Sequence, residues 1–197
     1  MATVILGVVN FECSNRRIAM SASPFRPANV LLTQYAAYHR DRRNIATHFV
    51  GIPLIVLSIG VLLLPITLFG SSLAWIVWAL ASLWYLTRGE PVLGIAVSAV
   101  NAALFALAAP LAAGSVALWL GWFAATFVVG WVLQFIGHHY EGRKPAFVDD
   151  MVGLLVGPMF VVAEWLFAAG WGRALRDEIE AAVGPTLLRD LAAPATR

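Results

Sequence analysis

Between Phe49 and Gly137 the chain carries only two formally charged side chains, Arg88 and Glu90. Water is a poor solvent for so long an apolar stretch, and in lipid a backbone is satisfied only as helices or as a closed barrel. The apolar residues come in unbroken runs rather than strict alternation, which selects helices. About 20 such residues cross a hydrocarbon core of about 30 Å. Four segments qualify: Phe49–Phe69, Leu73–Thr87, which is short, Pro91–Ala112 and Val116–Gly137. Gly70-Ser71-Ser72, Arg88-Gly89-Glu90-Pro91 and Ala113-Gly114-Ser115 read as the turns between them. A hydrophobic fraction of 60%, a charged fraction of 12% and a mean hydropathy of +0.80 lie outside the range of soluble domains. The expected fold is all-α: a polytopic membrane helical bundle of four transmembrane helices, a fifth apolar segment that re-enters or spans, and flanking amphipathic helices.

Cations give the orientation. None of the 13 lysines and arginines falls in the first or third of those turns. Arg16, Arg17, Arg26, Arg40, Arg42 and Arg43 precede the first span, Arg88 follows the second, and Arg143 and Lys144 follow the fourth. The positive-inside rule places all of these on the cytoplasmic side. One lysine against twelve arginines, with abundant alanine, points to a GC-rich bacterial genome and hence an inner membrane. Spanning by the fifth segment, Met151–Trp171, would carry Arg173, Arg176, Arg189 and Arg197 to the other side, so a re-entrant or interfacial hairpin is expected there. Asp149, Asp150, Gly157-Pro158 and Glu164 suit irregular helix packed against protein.

Residues 1–27 form an N-terminal extension, disordered or mis-assigned. Met20, followed by a polar stretch and an amphipathic run, is the expected natural start. Residues 28–172 form one membrane-embedded helical domain, and residues 173–197 a tail whose Arg173–Leu191 stretch reads as an amphipathic helix on the membrane surface. A single cysteine, Cys13, excludes an intramolecular disulfide and any cysteine-rich metal site.

The four histidines stand in two groups, His39 with His48 and His138 with His139. Four spans separate the groups, an even number, so both reach the same membrane face. On an unbroken helix His39 and His48, nine apart, would point in opposite directions. The helix must therefore break between them, at Arg40-Asp41-Arg42-Arg43-Asn44, with Asn44 as the cap of span one. His138 and Glu141 share a helical face, while His139 points about 100° away. Asn44, Asp41 and Glu141 are candidates to orient imidazoles, and Glu141 is an alternative ligand.

Imidazole nitrogens suit iron, zinc, copper or nickel, and the residues alone do not choose. The plainer reading is that the histidines sit at headgroup level or bond loop carbonyls. Bis-histidine haem ligands usually stand within helix faces, not at their ends, and membrane di-iron hydroxylases need about twice as many histidines. A zinc hydrolase would use the same ligands with Glu141 as base. A non-enzymatic scaffold or a transporter is a third class, although the spans show no midplane charge and no inverted repeat. Ligand histidines bind only when neutral, so metal should leave as pH falls through about 6.5.

The strings Tyr38-His39-Arg40-Asp41-Arg42-Arg43-Asn44-Ile45-Ala46-Thr47-His48 with Gly51 and Pro53, Gln134-Phe135-Ile136-Gly137-His138, Glu141-Gly142-Arg143-Lys144-Pro145-Ala146, and Gly157-Pro158 through Glu164 carry a resemblance. Over about Leu32 to Trp171 the chain resembles the family of the fungal 2-hydroxy fatty acid dioxygenase. The resemblance implies Fe(2+)-dependent α-oxidation, in which a 2-hydroxy fatty acid and O2 give CO2 and the acid one carbon shorter. It implies His39, His48 and His138 as metal ligands, with His139 as a possible fourth, and Asn44 and Glu141 as further site residues. The partners it implies are the 2-hydroxy fatty acid, O2 and membrane lipid, with no nucleic acid.

Overall fold

A computed structural model describes residues 25–145 and 151–192. Cys13, Met20, Asp149 and Asp150 lie outside the described residues. The chain forms seven helices among those described, α1 (Ala28–Ala36), α2 (Arg42–Leu63), α3 (Leu73–Leu86), α4 (Pro91–Ala112), α5 (Val116–Glu141), α6 (Gly153–Ala168) and α7 (Arg173–Val183). A two-residue antiparallel hairpin, β1 (Thr67–Leu68) with β2 (Ser71–Ser72), joins α2 to α3. The all-α membrane bundle expected from the sequence is what forms.

Local chemistry sets the helix ends, and several of them differ from the sequence reading. The first apolar helix starts at Arg42 rather than Phe49, because Asp41 caps it: its Oδ1 accepts the Arg43 N–H at 2.8 Å. Asn44 is therefore inside the helix and is not its cap. The same helix accommodates Pro53 in its interior but stops at Leu63, just before Pro65, which has no N–H for a further turn. Ile66 to Phe69 join a hairpin with the expected turn residues Gly70 to Ser72 instead of extending the helix, and Ser72 caps α3 by accepting the Ala74 N–H. Likewise α7 stops at Val183, not Leu191, because Gly184-Pro185 follows it.

By length and composition α2, α4 and α5 are each long and apolar enough to cross a membrane. α3, at 14 residues, is about 21 Å long and falls short. α6 and α7 reach that length and composition only as a pair bent by 116°, a broken span or a re-entrant hairpin.

α5 packs chiefly on α2, which also carries α4; α3 lies on α4, and α6 packs against α4, α1 and α2. Lipid offers apolar helices no hydrophobic reason to associate, so close backbone contact must do it. Gly51 of α2 and Gly130 of α5 provide that contact: a Cβ on Gly51 would stand 2.9 Å from the Gly130 carbonyl oxygen, and one on Gly130 the same distance from that of Gly51. About two turns nearer the histidines, Gly137 lies against Asn44 and Thr47. These approaches bring the end of α5 onto the start of α2. Short α1 lies across this end with Leu31, Leu32, Tyr35 and Ala36 buried, and the Ala28 N–H donates to the Arg88 carbonyl at 2.8 Å. Arg88 and the residues around His39 therefore share one end of the bundle.

Candidate metal centre

The break between α1 and α2 turns the chain so that His39 and His48 face each other, and the last turn of α5 adds His138. Among the described residues, these three offer nitrogens that all lie within 4.8 Å of one another, and all three side chains are buried. Their ring centroids are 4.5, 4.9 and 5.2 Å apart, with ring planes crossing at 70–78°. Tyr35 stacks flat on His39 at 4.1 Å, fixing that ring from the other side.

Hydrogen bonds set the tautomers. His39 Nδ1 lies 2.6 Å from the Tyr35 carbonyl oxygen, and His48 Nδ1 lies 2.8 Å from that of Asn44. A carbonyl only accepts, so each Nδ1 carries the proton and each Nε2 is left with a bare lone pair. These two Nε2 atoms stand 3.0 Å apart. Two lone pairs at that distance repel unless a cation lies between them. Two nitrogens each about 2.1 Å from one ion subtend roughly a right angle at 3.0 Å separation, an ordinary angle at a first-row metal. His138 Nδ1 is buried without a hydrogen-bond partner among the described residues. The three histidines fit a metal ion.

Burial, reinforced by the neighbouring His48 and His138, pushes the His39 imidazole well below the usual 6.5. Protons therefore compete for it at a lower pH than the ordinary histidine value used above.

Glu141 serves another purpose. Its carboxylate accepts the Arg40 N–H at 3.0 Å on each oxygen, the Asp41 N–H at 2.8 Å and the Asn44 Nδ2–H at 3.0 Å. It latches the His39–Asn44 turn to the end of α5. Asn44 in turn donates to the Tyr38 carbonyl at 3.1 Å and supplies its own carbonyl to His48. Gly142, in the left-handed region at φ 70°, ends α5 directly after this latch.

The segment after α7 straps the turn from outside. The Leu187 N–H donates to the Arg40 carbonyl at 2.8 Å, and the Arg42 N–H to the Leu187 carbonyl at 2.9 Å. The Arg189 N–H donates to Asp41 Oδ2 at 2.8 Å, and Arg43 pairs with the same oxygen at 2.6 Å. Burial would raise the Asp41 carboxyl, but these partners hold it down at about 2.

The structure thus brings together His39, His48 and His138, with Asn44 and Glu141 positioning them. It does not bring in His139, which is exposed and stacks edge-on with Tyr140 at 6.0 Å. The sequence reading gave no role to Tyr35, and it named Gln134 only as part of a motif string. Each stands one helical turn before a histidine, Tyr35 before His39 and Gln134 before His138, and that i−4 spacing was the available signal. A cavity of about 280 Å³ opens beside the centre, lined at its near end by His48, His138 and Gln134 and at its far end by Ile59 and Phe127.

The sequence pattern of the family described as 2-hydroxy-palmitic acid dioxygenase Mpo1-like matches residues 25–169. The 2-hydroxy-palmitic acid dioxygenase MPO1 of Saccharomyces cerevisiae is 29% identical over 152 residues, covering 74% of this chain and 83% of the yeast protein. No solved structure matches. The matched region runs from the start of α1 to the end of α6 and contains the whole three-histidine centre. The chain belongs to the Mpo1-like family.

Proposed function

We propose that this protein is an iron-dependent dioxygenase that shortens 2-hydroxy fatty acids by one carbon, with Fe(2+) held by His39, His48 and His138. The observation that carries the reading is the pair of unprotonated Nε2 atoms facing each other at 3.0 Å. The yeast relative's name supplies the substrate class. The reaction balances without any other reductant: the 2-hydroxy acid and O2 give the shorter acid, CO2 and water, the substrate losing the four electrons that O2 takes up. Iron contributes the electron transfer to O2 that side chains do not perform.

The chain's own residues do the rest. Tyr35 and Asn44 hold the protons on Nδ1 of His39 and His48 and so keep both Nε2 atoms available. The Glu141 latch and the 184–190 strap keep the His39 turn closed against α5. Burial of all three imidazoles excludes bulk water from the centre. The apolar cavity beside it accepts the acyl chain. The arginines gathered at the same end favour a centre facing the cytoplasm, in an inner membrane for a bacterial source.

A zinc hydrolase would need a free base at the centre. Glu141, the candidate for that role, already spends its carboxylate on three donors. The test is metal content together with oxygen uptake on purified protein. Stoichiometric iron and O2 consumption dependent on 2-hydroxypalmitate, both lost in His48→Ala, support the proposal. Zinc with no oxygen uptake overturns it.

A further inference from the structure

Gln134 is buried in the bundle, 5% exposed, with an amide that the fold does not use. Its Nε2 makes no hydrogen bond among the described residues and packs over Gly51, where a Cβ would collide with it. Leaving a buried amide donor unpaired is unfavourable, and a leucine of similar size would avoid that cost. The amide lies in one particular place. It lines the cavity between α2, α5 and α6, one helical turn along α5 from His138.

The cavity has a polar end and an apolar end. On α2 its lining runs from His48 to Ile59 and on α5 from His138 back to Phe127, about 16 Å along each helix. Beyond Gln134 the walls are Ile55, Ile59, Phe127, Trp131 and Leu154. Among the described lining residues there is no lysine, arginine, aspartate or glutamate. A fatty acid entering tail towards Ile59 would set its carboxylate at the histidine end, with no cationic side chain there to receive it. The last torsion of a glutamine is soft. Turning it swings the Nε2–H from Gly51 into the cavity without moving α5.

We propose that Gln134 is a substrate-binding residue: its Nε2–H donates to the carboxylate of a long-chain acid whose tail fills the cavity between α2 and α5. The inference rests on the fatty acid reading given under the proposed function. A carboxylate is the fitting partner because it only accepts, and a charge-assisted bond is the strong kind. The amide holds the carboxyl end next to the histidines without adding a charged side chain to an apolar slot.

The experiment measures binding of 2-hydroxypalmitate and of its methyl ester to full-length, metal-loaded protein in detergent, without oxygen so that nothing turns over. Wild type, Gln134→Leu, Gln134→Met and Gln134→Glu are compared, each first shown to keep full metal content. The expected result is that Leu and Met weaken acid binding about tenfold or more while leaving the ester almost unchanged. Glu should weaken the acid further by like-charge repulsion. Acid and ester weakened equally, or acid bound by both Leu and Met as by wild type, overturns the assignment and leaves the amide to an ordered water or to packing. Wild-type protein that binds neither ligand instead overturns the fatty acid reading itself, so the two failures are told apart.

Discussion

Replacing Glu141 by glutamine separates a latch from a ligand. The carboxylate receives two backbone N–H groups, of Arg40 and Asp41, and the Asn44 amide. Glutamine keeps one acceptor oxygen and turns an NH2 towards donors. At least one charge-assisted bond is lost and one buried N–H is stranded, together about 2–4 kcal/mol. For a chain of this size that corresponds to a fall in Tm of about 5–15 °C. The released turn carries His39, so metal affinity should drop about 10–100-fold, the usual effect of losing an outer hydrogen-bond partner. The stoichiometry at saturating metal should nonetheless stay at the wild-type value. Thermal unfolding of metal-free protein in detergent and a metal titration read both numbers. A metal-free Tm equal to wild type, combined with loss of stoichiometric binding, would refute the latch and make Glu141 a ligand.

Alanine at His39, His48 or His138 should each remove tight metal binding, whereas His139→Ala should keep it, as metal analysis of the purified variants will show; equal losses in all four would place His139 in the centre. His39 is held neutral in the fold below its ordinary value of 6.5, so below about 6.5 the unfolded chain binds the proton first. Metal-free stability should then be complete above that pH and decline as pH falls towards the depressed folded value, while loaded protein keeps its metal at about pH 6; a Tm flat down to about pH 5 contradicts this. Gly51→Ala should cost about 1–3 kcal/mol by forcing α2 from α5, whereas Gly121→Ala, with nothing within 4 Å of the new methyl, should be neutral or slightly stabilising in the same unfolding assay.

The bundle was legible because charge is nearly absent between Phe49 and Gly137, and the even number of helices from α2 to α5 brings the two histidine groups to one end, although α3 is too short to count as the fourth span. The helix ends were harder. Hydropathy counts Arg42, Arg43 and Asn44 as loop, but Asp41 caps the helix and Arg43 and Asn44 find partners in Asp41, Arg189, Tyr38 and Glu141. Two of these partners, Arg189 and Glu141, come from distant parts of the chain. The opposite error at Ile66 to Phe69 arose because an apolar hairpin and a last helical turn look alike to a hydropathy window; Pro65 was the local signal, read against a Pro53 that the same helix accommodates. At the site, spacing set His138 and His139 about 100° apart but left either of them able to ligate; the packing of α5 on α2 is what buries His138 and leaves His139 exposed. Spacing did not tell that Glu141 is consumed by backbone N–H groups, since that depends on the turn at Arg40 folding against α5. Nor did it show the strap, because a bridge between Asp41 and Leu187 links positions far apart in sequence.

The most direct test of the account loads purified protein with Fe(2+) without oxygen, adds 2-hydroxypalmitate, admits O2 and follows all products. The account predicts pentadecanoic acid and CO2 in equal amounts, matched by the O2 consumed, with none from His48→Ala. Stoichiometric iron at the three histidines with no shortened acid would contradict the proposed chemistry, and shortened acid formed equally by His48→Ala would contradict the site.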